Sequence, residues 1–191
     1  MFVHGRWLWL IAAWLAAITA GYVQTVTFDT RPGAASDANS SWPAQTRLKL
    51  ASEGMTLVMF LHPQCSCSSA SVDELQQLLQ RRPAISATYL VIVEVGVSGV
   101  AEDSALVAEA RQVPGAILCT DGDGRLAQCF GCRTSGHVFV FDATGQLRFD
   151  GGITGARGHA GPNAASAAAA AAVDAPRATA DHMPVFGCPL F

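Results

Sequence analysis

The chain has 191 residues, of which 50% are hydrophobic and 14% charged, and its 12 Lys and Arg against 15 Asp and Glu give a formal net charge of −3. This length suits one domain with additional segments, since a domain typically takes roughly 100–200 residues. No block of basic residues is present, so we expect no nucleic-acid partner.

The N-terminus carries an uncharged apolar run, residues 7–23, with His4 and Arg6 before it. Its length lies at the lower edge of the roughly 17–25 residues that span a bilayer. We expect a single-pass anchor in the cytoplasmic (inner) membrane. A cleaved signal peptide is the first alternative, because the alanines of residues 17–20 suit a peptidase, and a buried core helix is the second. The basic residue before the run keeps the N-terminus inside, so the following domain faces the periplasm or exterior.

The chain then divides by composition. Residues 1–24 are predicted to be the anchor or signal segment, and residues 25–44, rich in Pro, Gly, Ser, Asn and Asp, to be a linker. Residues 45–175 are predicted to form the folded domain and residues 176–191 a C-terminal tail. Outside the cytoplasm disulfides form and persist, which matters for the six cysteines.

The most informative stretch starts with an apolar run at residues 56–61, which predicts a strand. It breaks at His62-Pro63-Gln64 and places Cys65 and Cys67 before a helical pattern. Ser71 to Glu74 fits a capping box, which would start the helix as late as Ser71. A thiol at a helix N-terminus lies at the positive end of the macrodipole, which favours thiolate, the form that attacks disulfides or binds metals.

The remaining pattern alternates strands with helices and ends in an alanine-rich helix and an apolar tail that we expect to fold back onto the domain. This alternation predicts an α/β sheet. Strands are predicted at 87–95, 116–119, 137–141 and 146–149, helices at 101–112 and 163–173, and one helical turn within 125–132.

Residues 60–74, FLHPQCSCSSASVDE, resemble the active-site turn of the thioredoxin superfamily. Cys65 matches the first, attacking cysteine of that family, whereas the second would fall on Ser68 and is replaced by Cys67. Residues 62–68, 133–149 and 151–159 are similar to small membrane-anchored thioredoxin-like bacterial proteins called RedB. The resemblance implies a thioredoxin-like fold, with a central mixed sheet flanked by helices.

The resemblance also implies a thiol–disulfide oxidoreductase without a cofactor, acting on protein thiols and disulfides, with Cys65 attacking and Cys67 resolving. A Cys-x-Cys disulfide closes a small, strained ring, and strained disulfides are more oxidising. The alternative is a copper or zinc module in which both thiolates join His62, or His137 or Cys132. A non-catalytic interaction domain with structural disulfides is the third possibility.

Cys129 and Cys132 form a second pair with true Cys-x-x-Cys spacing, common to redox and zinc sites. Because the segment before the last hairpin lies beside the active cysteine in thioredoxin-like folds, Cys132 is expected near Cys65. An electron relay, a four-thiol metal site and a plain structural disulfide all remain open. Cys119 and Cys188 are candidates for tying the tail to the domain.

Two polar clusters complete the candidate site. The first cluster is Arg133 to His137, in which Gly136 aligns with the cis-proline of thioredoxins. His137 has two interpretations: a proton shuttle or metal ligand, or a structural histidine at the start of a strand whose hydrogen bonds are made within the fold. In the second, Arg157 either stabilises a thiolate or anion or caps backbone carbonyls.

Two other cysteine chemistries are excluded by the pattern. A peroxiredoxin would show Pro-x-x-x-Thr-x-x-Cys, but Pro63 stands only two residues before Cys65 and no Thr intervenes. A cysteine hydrolase needs a Cys–His pair with an orienting group, and nothing in the sequence marks an oxyanion hole.

Overall fold

The fold was taken from a computed structural model, which describes residues 3–96, 103–175 and 181–191. Six strands form one mixed sheet in the order β3-β2-β1-β4-β5-β6. β1 is parallel to β2 and antiparallel to β4, so the strand that leads into the Cys65 turn lies in the middle of the sheet. The strands are β1 Met55–Leu61, β2 Ile85–Val93, β3 Ala116–Asp121, β4 His137–Asp142, β5 Leu147–Gly151 and β6 Asp181–Met183.

In the described part of the chain five helices accompany the sheet, and each predicted helix is present with shifted ends. They are α1 Val3–Thr30, α2 Ser68–Arg81, α3 Ala105–Arg111, α4 Arg125–Cys129 and α5 Ala164–Asp174. The helix predicted from residue 101 begins at Ala105, after the N-cap Ser104; residues 101 and 102 lie outside the described part of the chain. The alanine-rich α5 begins after Asn163, whose side chain accepts a hydrogen bond from the Ser166 N–H at 2.9 Å.

The sheet is buried on both faces, which explains its continuous apolar strands. Because side chains alternate along a strand, Leu57 and Met59 of β1 face one core while Val58 and Phe60 face the other. The first core is covered by α2, α3 and α5. The second is aromatic and is covered by α4 and by Trp42. The two cores therefore lie on opposite faces, and α2 and α4 are separated by the sheet.

Helix α1 stands apart from both cores. An 18-residue window within residues 7–30 has a mean hydropathy of 1.4, and none of this window is buried. Trp7 and Trp9, for example, are 62% and 79% exposed. The buried-core-helix alternative is therefore wrong, whereas the helix is long and apolar enough to cross a membrane.

The segment after α1 does not run free as a linker but lies along the domain. The Gly33 N–H donates to the Val185 carbonyl at 2.8 Å, and the Asp37 N–H donates to the Gly131 carbonyl at 3.0 Å. Trp42 packs edge-on against Phe130, with ring centroids 5.4 Å apart. The composition of residues 31–44 concealed this, because backbone groups, which carry no sequence signal, make these hydrogen bonds.

The C-terminal tail also packs on the domain, in agreement with its apolar composition. After residues 176–180, which are outside the described part, β6 adds a parallel strand to β5 at the edge of the sheet. Val185 and Leu190 are buried at 5% and 1% exposure. The tail therefore reaches back across the sheet edge toward the turn that carries Cys65.

Candidate functional site

The turn between β1 and α2 presents Cys65 at the end of the central strand. Helix α2 begins at Ser68, and Cys67 is its N-cap but makes no side-chain capping bond. The predicted capping box is wrong, because Ser71 is buried inside the helix and the Glu74 carboxylate accepts the Gly161 N–H instead. The early helix start places Cys65 directly before the first helical turn.

Cys65 is completely buried and is surrounded by hydrogen-bond donors. The Ser68 hydroxyl donates to its Sγ at 3.3 Å, and the Cys188 backbone N–H donates at 3.3 Å. Burial acts to raise the pKa of the Cys65 thiol, but the hydrogen bonds from Ser68, Cys188 and Ser135 outweigh it and lower the pKa below its usual value. The geometry thus favours the reactive thiolate at Cys65.

The neighbour of Cys65 that the sequence did not reveal is Cys188. The Sγ atoms of Cys65, Cys67 and Cys188 all lie within 4.8 Å of one another. Burial and the adjacent Cys65 sulfur raise the pKa of Cys188 to about 12. Cys188 was a candidate, with Cys119, for tying the tail to the domain, but its sulfur lies in this three-sulfur cluster, and all six cysteines are unpaired thiols.

The loop before β4 closes the other side of the turn. The Ser135 hydroxyl accepts the His62 N–H at 2.8 Å and lies 2.8 Å from the Ser68 hydroxyl, so it supports the serine that contacts Cys65. Gly136 follows with φ +85°, and its N–H donates to the Phe60 carbonyl at 2.7 Å. Ser135 was not singled out from the sequence, because a serine in a loop carries no distinctive signal.

The second cysteine pair lies away from the cluster, which corrects the expectation that Cys132 approaches Cys65. Cys129 ends α4, and Cys132 is buried in the aromatic core on the opposite face of the sheet from α2. The Cys132 thiol donates to the Thr134 carbonyl at 3.6 Å, and burial raises its pKa well above the usual value. Neither an electron relay to Cys65 nor a four-thiol site fits this placement.

The two candidate histidine ligands are also absent from the three-sulfur cluster. His137 is buried, stacks on Phe139 at 4.3 Å between centroids, and pairs through Nε2 with Asp150. The Asp150 carboxylate, at 4% exposure, also accepts bonds from Ser36 and His182. Burial acts to raise the Asp150 pKa, but these partners, His137 foremost, lower it.

His62 lies on the turn itself, and its ring accepts a hydrogen bond from within the turn. Its Nδ1 accepts the Gln64 N–H at 3.3 Å, and burial lowers its pKa. The ligand set predicted for a metal, Cys65 and Cys67 with His62 and His137, is therefore corrected: the third group that lies with the two thiols is Cys188.

The remaining candidates, Arg157 and Arg133, have structural contacts. The Arg157 guanidinium donates to the carbonyls of Phe28 at 3.2 Å and Arg31 at 3.3 Å, and to that of Gly187. It thus caps carbonyls, as one of the two alternatives predicted. Arg133 pairs with Asp37 on the surface, where such pairs contribute little to stability.

Comparison with known proteins bears on the fold. No protein-family model matches the chain, and no curated protein matches its sequence. Among solved structures, an uncharacterized conserved protein from Geobacillus kaustophilus superposes with a TM-score of 0.60 at 16% identity, covering 84% of this chain and 92% of that one. A hypothetical protein from Sinorhizobium meliloti gives 0.59 at 18% identity, covering 84% and 93%.

A secreted disulfide oxidoreductase from Mycobacterium tuberculosis is a more distant match, with a TM-score of 0.45 at 15% identity, covering 66% of this chain and 84% of that one. At these identities the likeness concerns the fold. The mixed sheet flanked by helices, with the cysteine turn after a central strand, agrees with the fold class that the sequence predicts.

Proposed function

We propose that this thioredoxin-like domain is a thiol–disulfide oxidoreductase and that Cys65 is its attacking residue. The observation that carries the proposal is the environment of the Cys65 sulfur, which is buried yet accepts hydrogen bonds from Ser68 and Cys188. Hydrogen bonds to the charged form favour it, and the thiolate is the nucleophile in disulfide exchange. Cys67, as implied by the resemblance, is the resolving residue.

The reaction follows from the two thiols. The Cys65 thiolate attacks one sulfur of a substrate disulfide, forming a mixed disulfide and releasing the first substrate thiolate. The Cys67 thiolate then attacks the Cys65 sulfur and releases the second. The substrate gains two electrons and two protons, and the protein is left with a Cys65–Cys67 disulfide. The reverse sequence donates a disulfide to a substrate dithiol.

The location proposed for this chemistry is the outer face of the cytoplasmic membrane. Helix α1 supports it, since residues 7–30 meet the length and hydropathy required for a span and none of them is buried. The domain would then act on protein thiols and disulfides of the periplasm or exterior, where disulfides persist.

The test is exchange with a fluorescent peptide disulfide by the full-length protein in detergent micelles. Cys65→Ser should abolish exchange, and Cys67→Ser should slow it by removing the resolving thiol. Cys119→Ser is the matched control, since Cys119 lies on β3 and outside the three-sulfur cluster. Normal exchange by the Cys65→Ser protein would overturn the proposal.

A second candidate function is binding of a soft metal ion. The proximity of the three sulfurs, within 4.8 Å of one another, favours it, because thiolates suit Cu(I), and zinc would need a fourth ligand. In this case the ligands are Cys65, Cys67 and Cys188. Tight Cu(I) binding that is lost in Cys188→Ser, together with absent disulfide exchange, would select this function over the first.

A further inference from the structure

The C-terminal tail lies across the site as an additional extended segment. The Ser135 N–H donates to the Cys188 carbonyl at 2.8 Å, and the Leu190 N–H donates to the Arg133 carbonyl at 3.0 Å. Thr134 and Pro189 form an antiparallel bridge between these two bonds. The backbone of the loop before β4 is therefore paired with residues 188–190 of the same chain.

This pairing brings a third thiol to the attacking cysteine. The Cys188 N–H points at the Cys65 sulfur from 3.3 Å, and the two sulfurs lie within 4.8 Å of each other. Cys65 is fully buried, whereas Cys67 and Cys188 are partly exposed. The docked tail thus contributes both a hydrogen bond and a reactive group to the site.

The local sequence is built for this close approach. Gly187 precedes the thiol, and a Cβ at this position would lie 1.9 Å from the Ser135 carbonyl oxygen, so only glycine allows the tail to dock here. The Gly187 carbonyl accepts a bond from Arg157, and Val185 and Leu190 are buried on either side. Contacts at three successive points therefore hold the segment in place.

We propose that the tail occupies the surface beside Cys65 where a substrate disulfide would dock, and that Cys188 is a third redox residue, which forms a disulfide with Cys65. The proposal rests on the proposed oxidoreductase function and adds a second route for resolving its mixed disulfide. A partner protein must displace the tail to pair with the backbone of Arg133 and Ser135.

The oxidant that forms the Cys65–Cys188 disulfide is the substrate disulfide. The Cys65 thiolate forms a mixed disulfide and releases one substrate thiolate. The Cys188 thiol loses its proton as it attacks the Cys65 sulfur, the bond from Cys65 to the substrate breaks, and the second substrate thiolate leaves. The substrate takes up two electrons and the two protons lost by the cysteines, and the protein retains a Cys65–Cys188 disulfide.

The test uses the full-length Cys67→Ser protein in detergent, with glutathione disulfide as the probe and peptide mass spectrometry as the readout. We expect a Cys65–Cys188 disulfide and no lasting glutathione adduct on Cys65. In the double variant Cys67→Ser/Cys188→Ser the adduct should remain on Cys65. Equal adduct on Cys65 in both variants would overturn the inference and leave the proposed function standing. If Cys65 takes up no glutathione even in the double variant, both fail.

A second pair of variants tests docking without removing the thiol. Gly187→Ala, made in the Cys67→Ser protein, should displace the tail, so that the glutathione adduct on Cys65 persists although Cys188 is present. Gly122→Ala is the matched control, since a Cβ there meets no atom within 4 Å. A Cys65–Cys188 disulfide formed equally well in the Gly187→Ala protein would contradict the docked arrangement.

Discussion

Substitution of Ser68 by alanine removes the hydroxyl that donates to the Cys65 sulfur at 3.3 Å. Ser68 is completely buried, so no water replaces the lost donor without rearrangement. The Ser68 hydrogen bond is the largest of the contributions that lower the Cys65 pKa against the opposing effect of burial. The variant should therefore have a higher Cys65 pKa and less thiolate at any pH below it.

The size of the effect follows from the charge of the acceptor. A hydrogen bond to a charged group contributes about 1.5–3 kcal/mol. Because about 1.4 kcal/mol corresponds to a factor of ten, the lower value reduces the thiolate fraction about tenfold. A thiolate of higher pKa is also a better nucleophile, with a Brønsted coefficient of about 0.4–0.5, so each thiolate of the variant should react roughly threefold faster. The net result is exchange about threefold slower at low pH and about threefold faster once the thiol is fully ionised.

The assay is the rate of reaction of Cys65 with a small aromatic disulfide, followed on the Cys65 peptide by mass spectrometry from about pH 5 to about pH 9. The two pH–rate curves should cross. Ser66→Ala is the control, because Ser66 is exposed and adjacent but its side chain does not contact the sulfur. A Ser68→Ala curve that coincides with the wild-type curve would refute the assignment of Ser68 as the donor that lowers the pKa.

Three further predictions concern stability. Trp42→Ala should lower the free energy of unfolding by about 3 kcal/mol in urea titrations, because the Trp42 ring packs on two phenylalanines of the aromatic core. An unchanged free energy of unfolding would mean that residues 31–44 are a free linker. Burial acts to raise the pKa of the Asp142 carboxyl, but hydrogen bonds from Thr144 and Arg148 outweigh it and lower the pKa. The charged carboxylate therefore stabilises the fold above about pH 4, and this contribution is lost as the pH falls through the folded pKa. The difference in urea midpoint between wild type and Asp142→Asn should accordingly shrink in acid, and a constant difference would contradict this. Gly136→Ala should lower the free energy of unfolding by more than the roughly 1–2 kcal/mol expected for alanine in a left-handed conformation. Its Cβ would also meet a serine hydroxyl at 2.8 Å, whereas the Cβ of the control Gly158→Ala meets no atom within 4 Å. Equal losses in the two variants would rule out the clash.

The sheet and the cysteine turn were predictable because their signals are local. Continuous apolar runs predicted β1 and β2 as buried strands, and both lie inside the sheet. The Asp142-to-Gly145 turn and the strand pair around it followed from turn chemistry and alternation. The thioredoxin-like resemblance added the order of these elements, which the sheet confirms.

The composition of the site was harder to predict, because its members meet only through tertiary packing. Cys188 lies 123 positions from Cys65 in the chain, and nothing in the apolar tail indicated where it docks. The buried Asp150, with partners at residues 36, 137 and 182, was missed for the same reason. Conversely, the Cys-x-x-Cys spacing of Cys129 and Cys132 suggested a role near Cys65, but spacing does not reveal the face of the sheet on which a pair lies.

The most direct test of the account is the redox titration of Cys65 in the full-length protein, by thiol trapping in graded glutathione buffers with copper and zinc assayed in the same samples. We predict a reversible couple between about −120 and −230 mV, the range of working oxidoreductases, in protein free of metal. Cys65 that stays reduced throughout this range, in protein that carries stoichiometric copper or zinc, would contradict the oxidoreductase function.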